Sequence, residues 1–190
     1  FSNLTMNSRS TSAYTMIGHG GEDSAGAVSN AAITVSGTGD VDLNAGGSTI
    51  AFAQIGHGGE QAGGSVASSD ISLDAGGAIS LTGGGGQSYA QVGHGGHNAD
   101  GVAVTNSAIT INSGADSGTG AITLEAGTGS NSYAQIGHGG TDGDSASDRS
   151  GDITIDKAAS ITMGAAGGGA ADAYTQIGHG GDNTDGNFSG

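Results

Sequence analysis

Proline, cysteine and tryptophan are missing from all 190 residues, and only three residues are basic. The lack of cysteine rules out disulfides and thiolate chemistry without fixing the compartment. Arg9, Arg149 and Lys157 cannot supply the cationic surface that phosphates require, which argues against nucleic acid as a partner. No apolar run is long enough to cross a membrane, and no basic-then-apolar signal segment opens the chain, so any export signal lies outside it. Hydrophobic residues make up only 34%, so the core must be thin and distributed. What abounds is glycine, 42 residues without the G-X-Y period of collagen, and acid, 18 carboxylates that bring the formal net charge to −15. Such a balance suits a solvated outer surface that attracts cations.

The excess glycine is organised. "AYTMIGHGG" at 13–21 returns as "AFAQIGHGG", "SYAQVGHGG", "SYAQIGHGG" and "AYTQIGHGG", placing His19, His57, His94, His138 and His179 at intervals of 38, 37, 44 and 41 residues. Two apolar alternations lie between successive motifs, in fixed order. The first carries Ile33/Val35, Ile71/Leu73, Ile109/Ile111 and Ile153/Ile155; the second carries Val41/Leu43, Ile79/Leu81, Ile122/Leu124 and Ile161/Met163. Leu4 and Met6 align with the second. A period of two among β-branched and aliphatic residues, bounded by Gly, Asp or Ser, predicts half-buried strands. The stretch before each GHGG supplies another. The expectation is an all-β fold of about three strands per repeat of roughly 40 residues, with no helix.

Repeats that cannot bury their own apolar faces must stack on one another, so the chain is predicted to form a parallel β-helix, or β-solenoid. Residues 1–190 read as one segment of tandem GHGG repeats belonging to a longer fibre. The two alternations lie 8 residues apart in three repeats and 13 in the other, where "SGADSGTG" is inserted at a corner. One repeat per coil is favoured. Two smaller coils per repeat follow instead if "AVS" (27–29), "SVA" (65–67) and "VAV" (102–104) are strands as well.

"ISLDAGGAISLTGGGG" and "SYAQIGHGG" resemble the repeats of large bacterial exoproteins of the filamentous haemagglutinin type, and the resemblance covers essentially the whole chain. It implies a right-handed β-helix, two-partner secretion across an outer membrane, an extracellular or cell-surface location, and a role in adhesion or surface fibres. The secretion domain of that family is not among these residues.

Three sets of residues are candidates for a site. Five equivalent histidines could form a column, with rings about one strand spacing apart, roughly 4.8 Å. Such a column either bridges a soft metal or fills a tight glycine-bounded turn; the structural reading is favoured, because His97 is the only further histidine to act as a ligand. Acidic loops after GHGG form the second set, densest at Asp142, Asp144, Asp148, Asp182 and Asp185. These are candidate calcium ligands, although they match neither an EF-hand nor an RTX nonapeptide and suit ordinary turns equally well. Tyr14, Phe52, Tyr89, Tyr133 and Tyr174 form the third, beside Met16, Gln54, Gln91, Gln135 and Gln176. They make either a packed ladder or a stripe that stacks on surface glycans.

No Ser-His-Asp, Cys-His or non-repeating carboxylate pair suggests an enzyme, and no cofactor other than calcium is implied. The sequence is therefore read as a non-enzymatic fibre segment whose partners are copies of itself or adjoining repeats, end to end. The alternative is an adhesin module that binds glycans or a host surface through the acidic loops or the aromatic stripe.

Overall fold

The structure is a computed structural model that describes residues 1–47, 49–114, 119–143, 147–165 and 170–190. Every strand pairing is parallel, and each runs from one repeat to the next. The result is a β-solenoid of about 5 turns of ~38 residues. Among the described residues no helix is long and apolar enough to cross a membrane.

Each turn carries the three expected strands in the expected order. The tyrosine strands are Tyr14–Ile17, Phe52–Ile55, Tyr89–Val92, Tyr133–Ile136 and Tyr174–Ile177. The first aliphatic strands are Ile33–Gly37, Ile71–Ala75, Ile109–Ser113 and Ile153–Lys157. The second aliphatic strands are Leu4–Asn7, Val41–Asn44, Ile79–Thr82, Ala121–Ala126 and Ser160–Ala165. Register is kept residue for residue: Leu4 lies beside Val41, Ile71 beside Ile109, and Tyr89 beside Tyr133. The single shift falls between Ile111 and Asn112, where the first aliphatic strand of the third repeat meets that of the fourth.

The expected count of three strands is corrected by a fourth. Two-residue corner strands occur at Val28–Ser29, Val66–Ala67, Val104–Thr105, Arg149–Ser150 and Phe188–Ser189, and they form a sheet of their own. Two of them fall within the "AVS" and "SVA" stretches, yet they do not split the repeat into two coils. Val28 pairs with Val66, and Val66 with Val104, so one repeat makes one coil with four sides. Residues 115–118, half of the "SGADSGTG" insertion, lie outside the described residues; the strands on either side of it keep register with the coil before, and the one shift, between Ile111 and Asn112, falls in the strand that leads into it.

Side-chain parity decides what is buried. Ile and Leu of both aliphatic strands, with Ala and Ile or Val of the tyrosine strands, form one aliphatic core running the length of the solenoid. The centres Thr34, Ser72, Thr110 and Thr154 alternate with these core residues and line up outside. The tyrosine strand is buried on both faces in the middle coils. Its aromatic residues form a separate cluster, and Ala62, Val66, Ala99, Val102 and Val104 fill a smaller lobe under the corner strands.

Candidate functional site

The GHGG motif ends the tyrosine strand at a point where neighbouring backbones nearly touch. A Cβ added at the first glycine, Gly56, would lie 1.7 Å from the Gly93 carbonyl oxygen, and at Gly93 it would lie 1.8 Å from that of Gly137. The glycine after the histidine takes φ of 103° at Gly58 and 91° at Gly95, a region that side chains rarely enter. Close approach and positive φ therefore both require glycine, as the sequence suggested.

That turn aims each imidazole at the coil before it. Nδ1 of His57 accepts the peptide N–H of His19 at 2.9 Å, and the same bond recurs from His57 to His94, His94 to His138 and His138 to His179 at 2.9, 3.1 and 3.2 Å. On the other side of the ring Nε2 meets a carbonyl oxygen: Ala31 for His57, Ser69 for His94, Ser107 for His138, at 2.6 Å in each case, and Gly151 for His179 at 2.7 Å. A ring nitrogen facing a carbonyl must carry the proton, and one facing an N–H must not, so the partners assign the neutral Nε2–H tautomer. Each imidazole thus joins the two limbs of the preceding coil's loop. Successive rings stack with centroids 5.2, 4.9, 4.8 and 4.8 Å apart.

This geometry leaves the four partnered rings no lone pair for a metal, because Nδ1 is occupied and Nε2 is protonated. Burial is the largest cause holding the pKa of His57 below the ordinary imidazole value, His94 down to about 3, and His138 well below the usual range. The column works as a set of hydrogen-bonded staples between coils, each bond contributing about 1 kcal/mol net.

Comparison with known proteins places nothing beside this architecture. No family model, curated protein or solved structure matches this chain.

The aromatic ladder lies three residues before the Ile or Val that precedes each GHGG motif. Tyr14, Phe52, Tyr89, Tyr133 and Tyr174 stack with centroids 4.8, 5.0, 4.8 and 5.1 Å apart and planes within 5° of parallel. The strand spacing imposes this face-to-face arrangement. Phe52, Tyr89 and Tyr133 are at most 2% exposed, so no ring face among them is open to a sugar. The phenol oxygens of Tyr89 and Tyr133 lie close to Gly96 and Gly140 of their own GHGG motifs. Burial raises the pKa of both phenols, which stay neutral. Beside them Gln54, Gln91 and Gln135 each donate from Nε2 to two glycine carbonyls of the following coil, at 2.7 to 3.0 Å.

The acidic candidates are dispersed. Asp144 lies outside the described residues. Asp142 accepts from Asn131 and Asn183 at 3.1 and 3.0 Å, and Asp148 accepts the N–H and side-chain amide of Asn187 at 3.2 and 2.9 Å. Asp185 offers its backbone oxygen to Arg149 at 3.2 Å, and the Asp182 carbonyl accepts from the Asp142 N–H at 3.1 Å. Among the described residues no group of three or more His, Cys, Asp or Glu is placed to hold a metal ion. Other carboxylates act as corner caps: Asp40 accepts the Ala78 N–H and Asp70 the Ala108 N–H, both at 2.8 Å.

Two buried polar groups were not anticipated. Glu60, 1% exposed, faces Nδ1 of His97 with both oxygens at 2.9 and 3.0 Å, and Nε2 of His97 is 3.4 Å from Asp142. The sequence signal was the residue after GHGG, where acid, histidine and threonine follow one another at Glu60, His97 and Thr141. Arg149 occupies the place held by valine in earlier corner strands; it is buried, donates to the Ser147 and Asp185 carbonyls at 3.2 Å, and lies 6.0 Å from the Phe188 ring centroid.

Proposed function

We propose that this chain is a structural, non-enzymatic segment of an extracellular or cell-surface fibre, part of a bacterial adhesin-like exoprotein of the filamentous haemagglutinin type exported by the two-partner route. The observation that carries the reading is the consumption of the repeated polar chemistry by contacts between coils. Histidine bonds the preceding coil, glutamine bonds the following one, and aspartate caps the next corner. A chain that spends its most distinctive side chains on coil-to-coil contacts is built for length. Adjoining repeats or further copies extend it end to end.

Immunogold labelling of producing cells with antibody raised against this chain tests the reading. Label along filaments or patches outside the cell envelope is expected. Label confined to the cell interior would overturn it.

A further inference from the structure

The position after GHGG does not repeat as the histidine, tyrosine and glutamine ladders do, and His97 occurs there once. Its ring is turned the opposite way from those of the column. Both oxygens of Glu60 face Nδ1 of His97, at 2.9 and 3.0 Å. A nitrogen facing a carboxylate carries the proton, which leaves the lone pair of the neutral ring on Nε2. In the column it is Nε2 that is protonated, onto a carbonyl oxygen. Nε2 of His97 is buried and has no hydrogen-bond partner among the described residues, yet Oδ2 of Asp142 stands 3.4 Å from it. A lone pair and a carboxylate oxygen repel each other unless a cation lies between them. A proton does not suit this gap, because charge-assisted N–H···O bonds close to about 2.7–2.9 Å. Two ligands of one zinc ion do suit it: bonds of about 2.0–2.1 Å to nitrogen and 2.0–2.2 Å to oxygen, at the tetrahedral angle, set the donors roughly 3.4 Å apart.

We propose that Nε2 of His97 and Oδ2 of Asp142 are two donors of a binding site for a divalent cation of the zinc class, held between the loops that follow the third and fourth GHGG motifs, with water in its remaining positions. Each donor is supported from behind. Glu60 fixes the tautomer and orientation of His97, as a carboxylate does behind a metal-bound imidazole. Asn131 and Asn183 hold the two oxygens of Asp142 at 3.1 and 3.0 Å. The His97 side chain is 5% exposed and that of Asp142 31%, so the ion and its waters enter from the carboxylate side. Glu60 sits on the far nitrogen, outside the coordination sphere. The site is thus a pair of donors, in keeping with the lack of any metal-holding group of three or more among the described residues. An imidazole with a carboxylate favours zinc and its neighbours over calcium, whose ligands are oxygens. None of this depends on the fibre reading.

The test is a titration of the purified, untagged chain with zinc at pH 7, followed by calorimetry and by nitrogen-15 NMR of the imidazoles. Zinc is expected to move the Nε2 resonance of His97 while those of His57, His94 and His138 stay in place. Asp142→Asn removes a charged donor at a part-exposed position and should abolish the movement at His97. Glu60→Gln keeps an acceptor on Nδ1 but loses the carboxylate, and should weaken binding about 10- to 100-fold. Circular dichroism checks that each variant folds; should Glu60→Gln disturb the coil, Asp142→Asn decides alone. A metal-free His97 ring without a proton on Nδ1, His97 resonances unmoved by excess zinc, or an affinity unchanged in Asp142→Asn would each overturn the site. The immunogold result decides the fibre reading separately.

Discussion

Acidification from pH 7 to pH 5 is expected to lower the stability of the solenoid, and the histidine column is the cause. Burial depresses the imidazole pKa in the folded state, to about 3 for His94 and in the same direction for His57 and His138. In the unfolded chain an imidazole titrates near 6.5. Between these values the unfolded state binds more protons, so stability is fully present above about pH 6.5 and is lost as pH falls toward 3. His94 alone accounts for about 2 kcal/mol at pH 5. Urea unfolding at both pH values measures the loss. The variant His94→Gln retains a donor and an acceptor without a titrating ring and should recover about 2 kcal/mol of the pH dependence. Stability that is flat or rising between pH 7 and 5 would show that the rings are not held neutral.

Replacing Ile109 by Asp is expected to cost upwards of about 4 kcal/mol, because it buries an unpaired carboxylate between aliphatic neighbours. Ile109 is fully buried and is paired on its two sides with Ile71 and Ile153. Thr110→Asp, one residue along and facing out between Ser72 and Thr154, should stay within about 0.5 kcal/mol of the parent. Thermal unfolding of the two variants compares them directly. Similar damage from both would contradict the assigned parity of the strand.

Much of this was legible because a solenoid writes its period into the chain. The alternations at Ile71/Leu73 and Ile79/Leu81 announced strands and their inward faces, and the spacing of GHGG set the coil. The corner strand was harder to read. Val28–Ser29 and Val104–Thr105 are too short to alternate, and Arg149 and Phe188 break the valine pattern where the column continues. The histidine staples were half visible. Glycine marked the turn, but the partners are backbone carbonyls at Ala31, Ser69, Ser107 and Gly151, which leave no side-chain signature in the sequence. The Glu60–His97 pair joins residues 37 apart, and it emerges only once the register places successive coils against each other.

The central claim is that the histidine column is a closed, neutral staple between coils, and nitrogen-15 NMR of the imidazoles tests it most directly. His57, His94 and His138 should each show a proton on Nε2 and a hydrogen-bonded lone pair on Nδ1 at pH 7, unchanged when zinc is added. Protonated imidazolium at that pH, a proton on Nδ1, or resonances that move with stoichiometric zinc would contradict it.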